Sequence, residues 1–438
     1  MKGLILTYLV AFGGGVTALS RPLVGLYVYT AFSIIRPQAI FGYAGDMSGL
    51  SEIVAIPMLI GWAVQGFGDW NFRRARPIVY AMLAYFGWYC ISGALAPDLS
   101  YSFQAAIDRS KELVLPFLVG ITMIRTKEQV RGYAWLLVLS QGYVALEMHN
   151  YYYFRGYNLA HDSGLFGAMD NNSFAVSLVS TVVPAFVLAL NTPKLWLKWL
   201  AAGAGVLTMH TIFLTYSRGG MLALVISGLV VLLLMPKRPV YLIGLLVAAL
   251  IGMRLAGPEV RDRFASVFVD EEERDTSASS RLDLWADCWV LMKENPVTGV
   301  GPRRWPLVAP RFGWPMYKSA HSLWMQTGAE IGFPGLFFLL LFYALAVLTG
   351  FRLRRSGDPW GQIAGLICLT GLCGFMVSAQ FVSLEGLELP FHLVLVTAAS
   401  AKLVLAEAPA AVVASPAALG PPMVSAPRVP QAPDLRLR

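Results

Sequence analysis

The sequence predicts an all-α, polytopic transmembrane helical bundle, and three observations predict it. Of 438 residues, 56% are hydrophobic and only 14% are charged, with a mean hydropathy of +0.59; a soluble domain carries about 25% charged residues. Apolar runs of about 18 residues or more recur along the whole length, enough to cross a hydrocarbon layer about 30 Å thick. Lysine and arginine fall in short clusters between those runs: Arg73, Arg74 and Arg76; Arg125, Lys127 and Arg131; Lys194 and Lys198; Lys237 and Arg238; Arg352, Arg354 and Arg355. That placement is the positive-inside pattern, so the formal charge of +8 reports topology. No basic helix with interleaved aromatics points to nucleic acid, and the apolar runs exclude the several soluble domains that length alone would permit.

In chain order the spans are 4–19, 22–36, 51–68, 77–95, 111–124, 131–148, 173–191, 197–215, 220–235, 239–256, 321–350, 361–380 and 389–406, about 12 or 13 helices. The first two are short and broken at Arg21-Pro22, as a hairpin or tilted pair would be. Val16-Thr17-Ala18 faintly resembles a signal-peptide cleavage site, but a polytopic chain uses its first span as the address, so this stretch reads as an uncleaved helix. The span 321–350 exceeds what a bilayer requires and must tilt, kink at Pro334 or begin above the membrane. Residues 1–406 form one membrane domain; 407–438, rich in Ala and Pro without helical period, read as a disordered cytoplasmic tail.

Placing the basic clusters in the cytoplasm leaves 95–110, 149–172, the junction 216–220, the long loop 257–320 and 381–388 outside. The long loop carries a short helix. From Ser280 to Met292, Leu282, Trp285, Trp289 and Met292 fall at helical spacing, with Ser279 or Ser280 as cap and Asn295-Pro296 as stop. Its tryptophans suit the membrane interface. Thr298-Gly299-Val300-Gly301-Pro302 then makes a tight turn. The cysteines, Cys90, Cys288, Cys368 and Cys373, form no C-x-x-C pair and no zinc spacing.

Three basic residues, far apart in sequence, stand near the outer surface: Arg218, Arg281 and His321. An arginine between two apolar runs, as Arg218 is, costs several kcal/mol unless it meets water, a carboxylate or a phosphate. Each taken alone also has a plain reading: a snorkelling arginine, a helix-end arginine and an interfacial imidazole. His321 has no second histidine three or four residues on, so no zinc site is expected. Together they suit a substrate that joins a diphosphate to a lipid. Guanidiniums pair with phosphate oxygens and stabilise a leaving diphosphate, and a neutral histidine can take a proton from an acceptor hydroxyl. Such a transfer needs no nucleotide site, and neither a P-loop nor G-x-G-x-x-G is present.

The ordered segments TYSRGG, SRLDLWADCWVLMKENPVTGVGPRRW and HSLWMQTGAEIGFPGL resemble the bacterial O-antigen ligase superfamily. The shared patterns are S-R-G-small, R-x-x-x-W followed by N-P-x-x-G-x-G, and H-[NS]-x-x-[LM]-Q-x-x-x-E-x-G-x-x-G. The N-terminal ALSRPLVGLYVYTAFSIIRPQAIFG is similar to the branch of exosortase-A-associated O-glycosylation ligases. The resemblance implies a GT-C-like, metal-independent glycosyltransferase without cofactor, in the bacterial inner membrane with its site and long loop facing the periplasm. It would take a glycan from undecaprenyl diphosphate and join it to a lipid, a polysaccharide or a protein Ser/Thr. Carried over by motif, Arg218 and Arg281 hold the diphosphate and His321 is the base or acceptor-orienting residue. Where the commonest pattern has Asn after the histidine, this chain has Ser322.

Further substrate-binding candidates are Arg303, Arg304, Asn171, Asn172 and Tyr216; Asp170, Asn171 and Asn172 equally read as helix caps, and Arg303, Arg304 and Arg311 as solvated loop charges. Tyr151, Tyr152, Tyr153 and Phe154 read as an interfacial belt or a sugar-stacking run, and Lys111 and Glu112 as partners of outer-loop charges. In a continuous helix Glu330 lies roughly opposite His321 and about 13 Å further along. Glu330 is therefore expected to pair with a polar group of another helix, and Gly328, Gly332 and Gly335 to let that helix approach. Two alternatives stay open: a polysaccharide polymerase using the same donor, and a lipid-linked glycan transporter, for which Glu147 and Glu330 are the mid-span ionisable residues.

Overall fold

A computed structural model describes residues 2–41, 49–162, 170–234, 276–383 and 387–405. The expected span 239–256, the acidic run from Asp270 to Glu273 and the 407–438 tail lie outside the described residues. The described chain is helical, with no strand: α1 (Lys2–Ser20), α2 (Pro22–Ile35), α3 (Pro37–Phe41), α4 (Leu50–Val64), α5 (Arg76–Ala94), α6 (Leu99–Arg109), α7 (Leu115–Met123), α8 (Lys127–Arg155), α9 (Asn171–Leu190), α10 (Leu195–Leu214), α11 (Arg218–Leu234), α12 (Thr276–Glu294), α13 (Trp305–Val308), α14 (Leu323–Arg354), α15 (Pro359–Ser378) and α16 (Leu389–Val404). Six of these regions are long and apolar enough to cross a membrane, and α2, α4, α11 and α16 are shorter apolar helices. The chain is a polytopic helical bundle.

Local chemistry sets the boundaries. Pro22 opens α2, where its missing N–H would be unpaired in any case. A Thr126/Gln129 capping box starts α8, and Gly156, at φ +65°, ends it. Between α6 and α7 the helix widens into a π-turn over Ser110–Val114; Pro116, at the second position of α7, offers no N–H to the carbonyl of Glu112 four residues back. α9 and α15 are largely buried, whereas α1 leaves Ile5, Leu6, Leu9, Phe12 and Val16 exposed, the surface a lipid-facing helix presents.

The two ends of the bundle differ. At one, Lys402 pairs with Asp69 at 3.0 Å and donates to the Ile121 carbonyl at 2.9 Å; Lys127 pairs with Asp358 and Arg354 donates to the Leu234 carbonyl. The other end gathers the N-termini of α9, α11 and α14 with α6, α12 and α13. The bundle thus sorts the loops with candidate chemistry to one end.

Two expectations about this end need correction. α12 begins at Thr276, so Ser279 and Ser280 lie inside the helix and do not cap it. Its buried face is Leu284, Cys288, Leu291 and Met292, while Leu282 and Trp289 are exposed; the partner surface, chiefly α14 and the following loop, decides the face. His321 also precedes α14, whose cap is Ser322, and that helix is broken at Ile331 and at Gly332 (φ +71°, ψ −179°). No continuous helix therefore runs from His321 to Glu330, and the kink lies ahead of Pro334. Proline removes the donor for the carbonyl four residues back, which is that of Glu330, and Gly301 N–H takes that carbonyl at 2.8 Å.

Candidate functional site at the loop end

The break in α14 is the seat of the long loop. Val300 N–H donates to Ala329, Gly301 to Glu330, and Phe333 to Pro296, at 3.1, 2.8 and 2.9 Å. Gly299 and Gly332 hold positive φ, and a Cβ on either would stand within 2.5 Å of backbone atoms of the facing segment, so only glycine allows this approach. The Gly-x-Gly turn therefore locks onto the helix break. Of the predicted small-residue stripe, only Gly328 admits a neighbouring helix, through Met292 of α12; Gly332 faces the loop backbone and Gly335 its own Ile331 side chain.

Glu330, 5% exposed, accepts from Arg303 N–H at 3.0 Å, Trp305 N–H at 3.3 Å and Gln326 Nε2 at 2.9 Å. These donors lie on the loop at Arg303, at the start of α13 at Trp305 and on its own helix at Gln326. The Arg303 guanidinium spans Asp108 at 2.7 Å and Glu112 at 3.0 Å, which gives Glu112 an outer-loop partner, and Glu112 also meets Arg109 at 3.3 Å. Arg311 is held by both oxygens of Glu294. These two arginines are engaged by carboxylates, whereas the half-buried Arg304 keeps an Nε with no hydrogen-bond partner among the described residues.

Above the break stands His321. It is half-buried with φ +50°, and both ring nitrogens lie 3.4 Å from Ser319 Oγ. Ser322, in place of the commoner Asn, caps α14 by accepting from Met325 N–H; either residue type performs that task. The preceding residue is gripped on both sides: Ala320 C=O accepts from Trp285 Nε1 at 3.1 Å, and Ala320 N–H donates to Gln326 Oε1 at 3.3 Å. Burial holds the imidazole below its ordinary 6.5, the Arg281 charge lowers it further, Asp170 opposes this and Lys318 adds to it. The histidine is therefore neutral at pH 7.

Contacts between neighbouring residues link the elements that carry the two arginines. Arg281 lies one turn before Trp285 on α12, on the face toward Ala320. Arg218 opens α11; the next residue, Gly219, would place a Cβ 3.3 Å from Phe381, and Phe381 packs on Trp285 at 6.4 Å between ring centroids. The turn before Arg218 is built by α9. Asn171 Nδ2 donates to the Thr215 carbonyl at 3.0 Å, and Ser217 Oγ donates to Asn172 Oδ1 at 2.8 Å. Asp170 caps α9 through Ser173 N–H. Asn171 and Asn172 therefore shape the Arg218 turn, and Tyr216, at φ +51°, rests edge-on to His161. Beneath it, His149 Nε2 and His210 Nδ1 join α8 to α10 at 2.8 Å.

Residues 203–340 match the O-antigen ligase family. This segment holds Arg218, Arg281, His321 and the whole α14 break, and its match supports the O-antigen ligase superfamily and a membrane glycan-transfer or ligase-like function. With the apolar helices, it makes the chain a multi-pass membrane protein. Residues 1–158 match a family of unknown function (DUF5935). No curated protein matches the chain.

Three contributors to the O-antigen ligase segment had no site role assigned from the sequence. Arg109, 6% exposed, lines a small cavity of about 20 Å³ with Tyr89, Gln326, Glu330 and Ser383; in the sequence it is one charge in a charged stretch. Trp285 was visible as an interfacial residue and not as the holder of Ala320. Gln326 stood inside a recognised pattern, but nothing local announced its bond to a peptide six residues earlier.

Proposed function

We propose that the protein transfers a glycan from undecaprenyl diphosphate to an acceptor hydroxyl at the periplasmic face of the bacterial inner membrane, without metal or cofactor. The acceptor oxygen attacks the anomeric carbon while its proton passes to the neutral His321. The bond from that carbon to the diphosphate oxygen breaks, and Arg218 and Arg281 stabilise the charge on the leaving diphosphate. The observation that carries this reading is the contact chain from the Arg218 turn through Phe381 and Trp285 to Ala320 and His321, with Arg281 one turn from Trp285. The N-termini of α9, α11 and α14 lie at the same end and add favourable partial charge for an anion. An apolar groove of about 500 Å³ between α5 and α6, lined by Phe86, Cys90, Ala94, Phe103 and Ile107 with Lys111 among its walls, offers room for a hydrocarbon chain. Arg304 is the further candidate for the donor's anionic part. The N-terminal similarity to O-glycosylation ligases favours a protein Ser or Thr as acceptor.

The test is glycan transfer in membranes from cells carrying His321→Ala or Arg218→Ala at wild-type membrane abundance. Transfer is expected to fall to background in His321→Ala and by roughly 10²- to 10³-fold in Arg218→Ala. Unchanged transfer in His321→Ala removes the base assignment. A gel showing shortened chains, with attachment intact, places the protein with the polymerases instead.

A further inference from the structure

We propose that Glu330 and Gln326 are positioning residues that hold His321 through Ala320, the residue preceding it. This rests on the assignment of His321 as the base. The two side chains lie four residues apart on the first turns of α14 and meet on one face. The Glu330 carboxylate receives three N–H donors, from Arg303, Trp305 and Gln326. A carboxylate surrounded by donors serves only as acceptor, so it dictates which end of the Gln326 amide turns toward it. The NH₂ group must face Glu330, and the carbonyl oxygen is left facing Ala320 N–H, where it accepts at 3.3 Å. Trp285 holds the other side of that residue by its carbonyl at 3.1 Å.

His321 needs such a grip. Its φ of +50° lies in the left-handed region, where a residue other than glycine carries strain and stays only when its surroundings hold it. Both partners are buried, Gln326 at 4% and Glu330 at 5% exposed, so no water readily replaces a lost bond. The relay also gives a reason for the spacing from His321 to Gln326 to Glu330. Glu330 acts on the histidine through an amide whose direction it sets, and not by sharing a proton with it.

Three variants test this: Glu330→Gln, Gln326→Leu, and the exchange Gln326→Glu with Glu330→Gln. Two readouts are used, transfer kinetics and the rate at which diethyl pyrocarbonate modifies His321 in the intact solubilised protein, followed by mass spectrometry of the peptide. In Glu330→Gln the amide of residue 330 presents an NH₂ to a neighbouring donor, and Gln326 no longer has one preferred direction. The expected result is a roughly 10- to 100-fold fall in kcat with little change in KM for the donor, and a several-fold faster modification of His321. Gln326→Leu keeps the Glu330 bonds to the loop and should give the same two changes. In the exchange, the carboxylate now at position 326 accepts from both the amide at position 330 and Ala320 N–H, so modification and kcat should return toward wild type. A purely structural Glu330 predicts no recovery in the exchange and no effect of Gln326→Leu on His321 modification; that result overturns the relay. Modification reports the position of His321 whatever its role, so an active His321→Ala protein refutes the base assignment and leaves the relay to be judged by labelling.

Discussion

Gly332→Ala is the sharpest perturbation of the loop seat. An alanine there must adopt φ +71°, ψ −179°, a region that is essentially glycine's own and costs roughly 1–3 kcal/mol. Its Cβ would also stand 2.2 Å from the Val297 carbonyl oxygen and 2.9 Å from that of Pro296. These are backbone atoms, so the strain is relieved only by moving the loop away from α14. That movement gives up the bonds from Phe333 to Pro296, Val300 to Ala329 and Gly301 to Glu330, each contributing roughly 0.5–1.5 kcal/mol. The combined effect is of order 2.5–7.5 kcal/mol against the docked loop. At about 1.4 kcal/mol per factor of ten, the amides of Val300, Gly301 and Phe333 should exchange hydrogen at least about 50-fold faster, and glycan transfer should fall with them. Gly203→Ala is the control, because a Cβ there meets nothing within 4 Å and its φ is not in the left-handed region. Wild-type exchange across 296–301 in Gly332→Ala would refute the reasoning.

Other predictions concern charge. Arg281 lowers the His321 pKa and Asp170 raises it, so the acid limb of the transfer rate should lie below pH 6.5; it should move up toward that value in Arg281→Gln and down in Asp170→Asn. Profiles normalised to their own plateaus measure this, and limbs moving in one direction count against it. Arg218→Ala should lower transfer by roughly 10²- to 10³-fold, as loss of a leaving-group donor does, with the protein still in the membrane by immunoblot. Asp358 is held below its ordinary 3.8, chiefly by its bond to Lys127. This pair contributes fully above 3.8 and is lost as pH falls through the lowered folded value. Because the pair is substantially exposed, Lys127→Ala should cost less than about 1 kcal/mol in thermal unfolding at neutral pH.

The bundle was legible because apolar length and basic punctuation are local properties. The helix over Thr276–Glu294 was legible for the same reason: its period and its Asn295-Pro296 stop are local. Which face of that helix is buried was not, because the answer belongs to α14 and the loop. The long α14 was expected to tilt, to kink at Pro334 or to begin above the membrane; its break falls at Ile331 and Gly332, where the proline's missing donor is felt and the loop supplies substitutes. Arg303 illustrates the limit most clearly. As a sequence feature it is a loop arginine near a candidate site; its carboxylate partners, Asp108 and Glu112, lie 195 and 191 residues away, and no local pattern encodes that distance.

That same arginine bears on what the N-terminal segment does for the O-antigen ligase segment. From residues 1–158, Ser92 Oγ donates to the Thr298 carbonyl at 2.6 Å, Trp88 Nε1 to that of Ile331 at 2.9 Å, and Tyr101 OH to that of Arg303 at 3.1 Å. Each addresses the loop or the α14 break, the framework that Glu330 ties together. If the N-terminal segment fixes this framework, the ion pairs of Arg303 should be energetically coupled to transfer. Removing one side of a largely desolvated pair leaves an unpaired charge and costs up to about 3–5 kcal/mol, less here because the groups are partly exposed, whereas replacing both sides by apolar groups of similar size costs far less. Arg303→Met alone and Asp108→Asn/Glu112→Gln together should therefore each destabilise the loop and lower transfer, while the combined variant should lose less than the two effects added. The coupling is read from hydrogen exchange at Arg303–Trp305 and from transfer rate in the same four proteins. Strict additivity would mean that the N-terminal segment only abuts the loop, and the positioning of the candidate site would then have to come from the 203–340 segment alone.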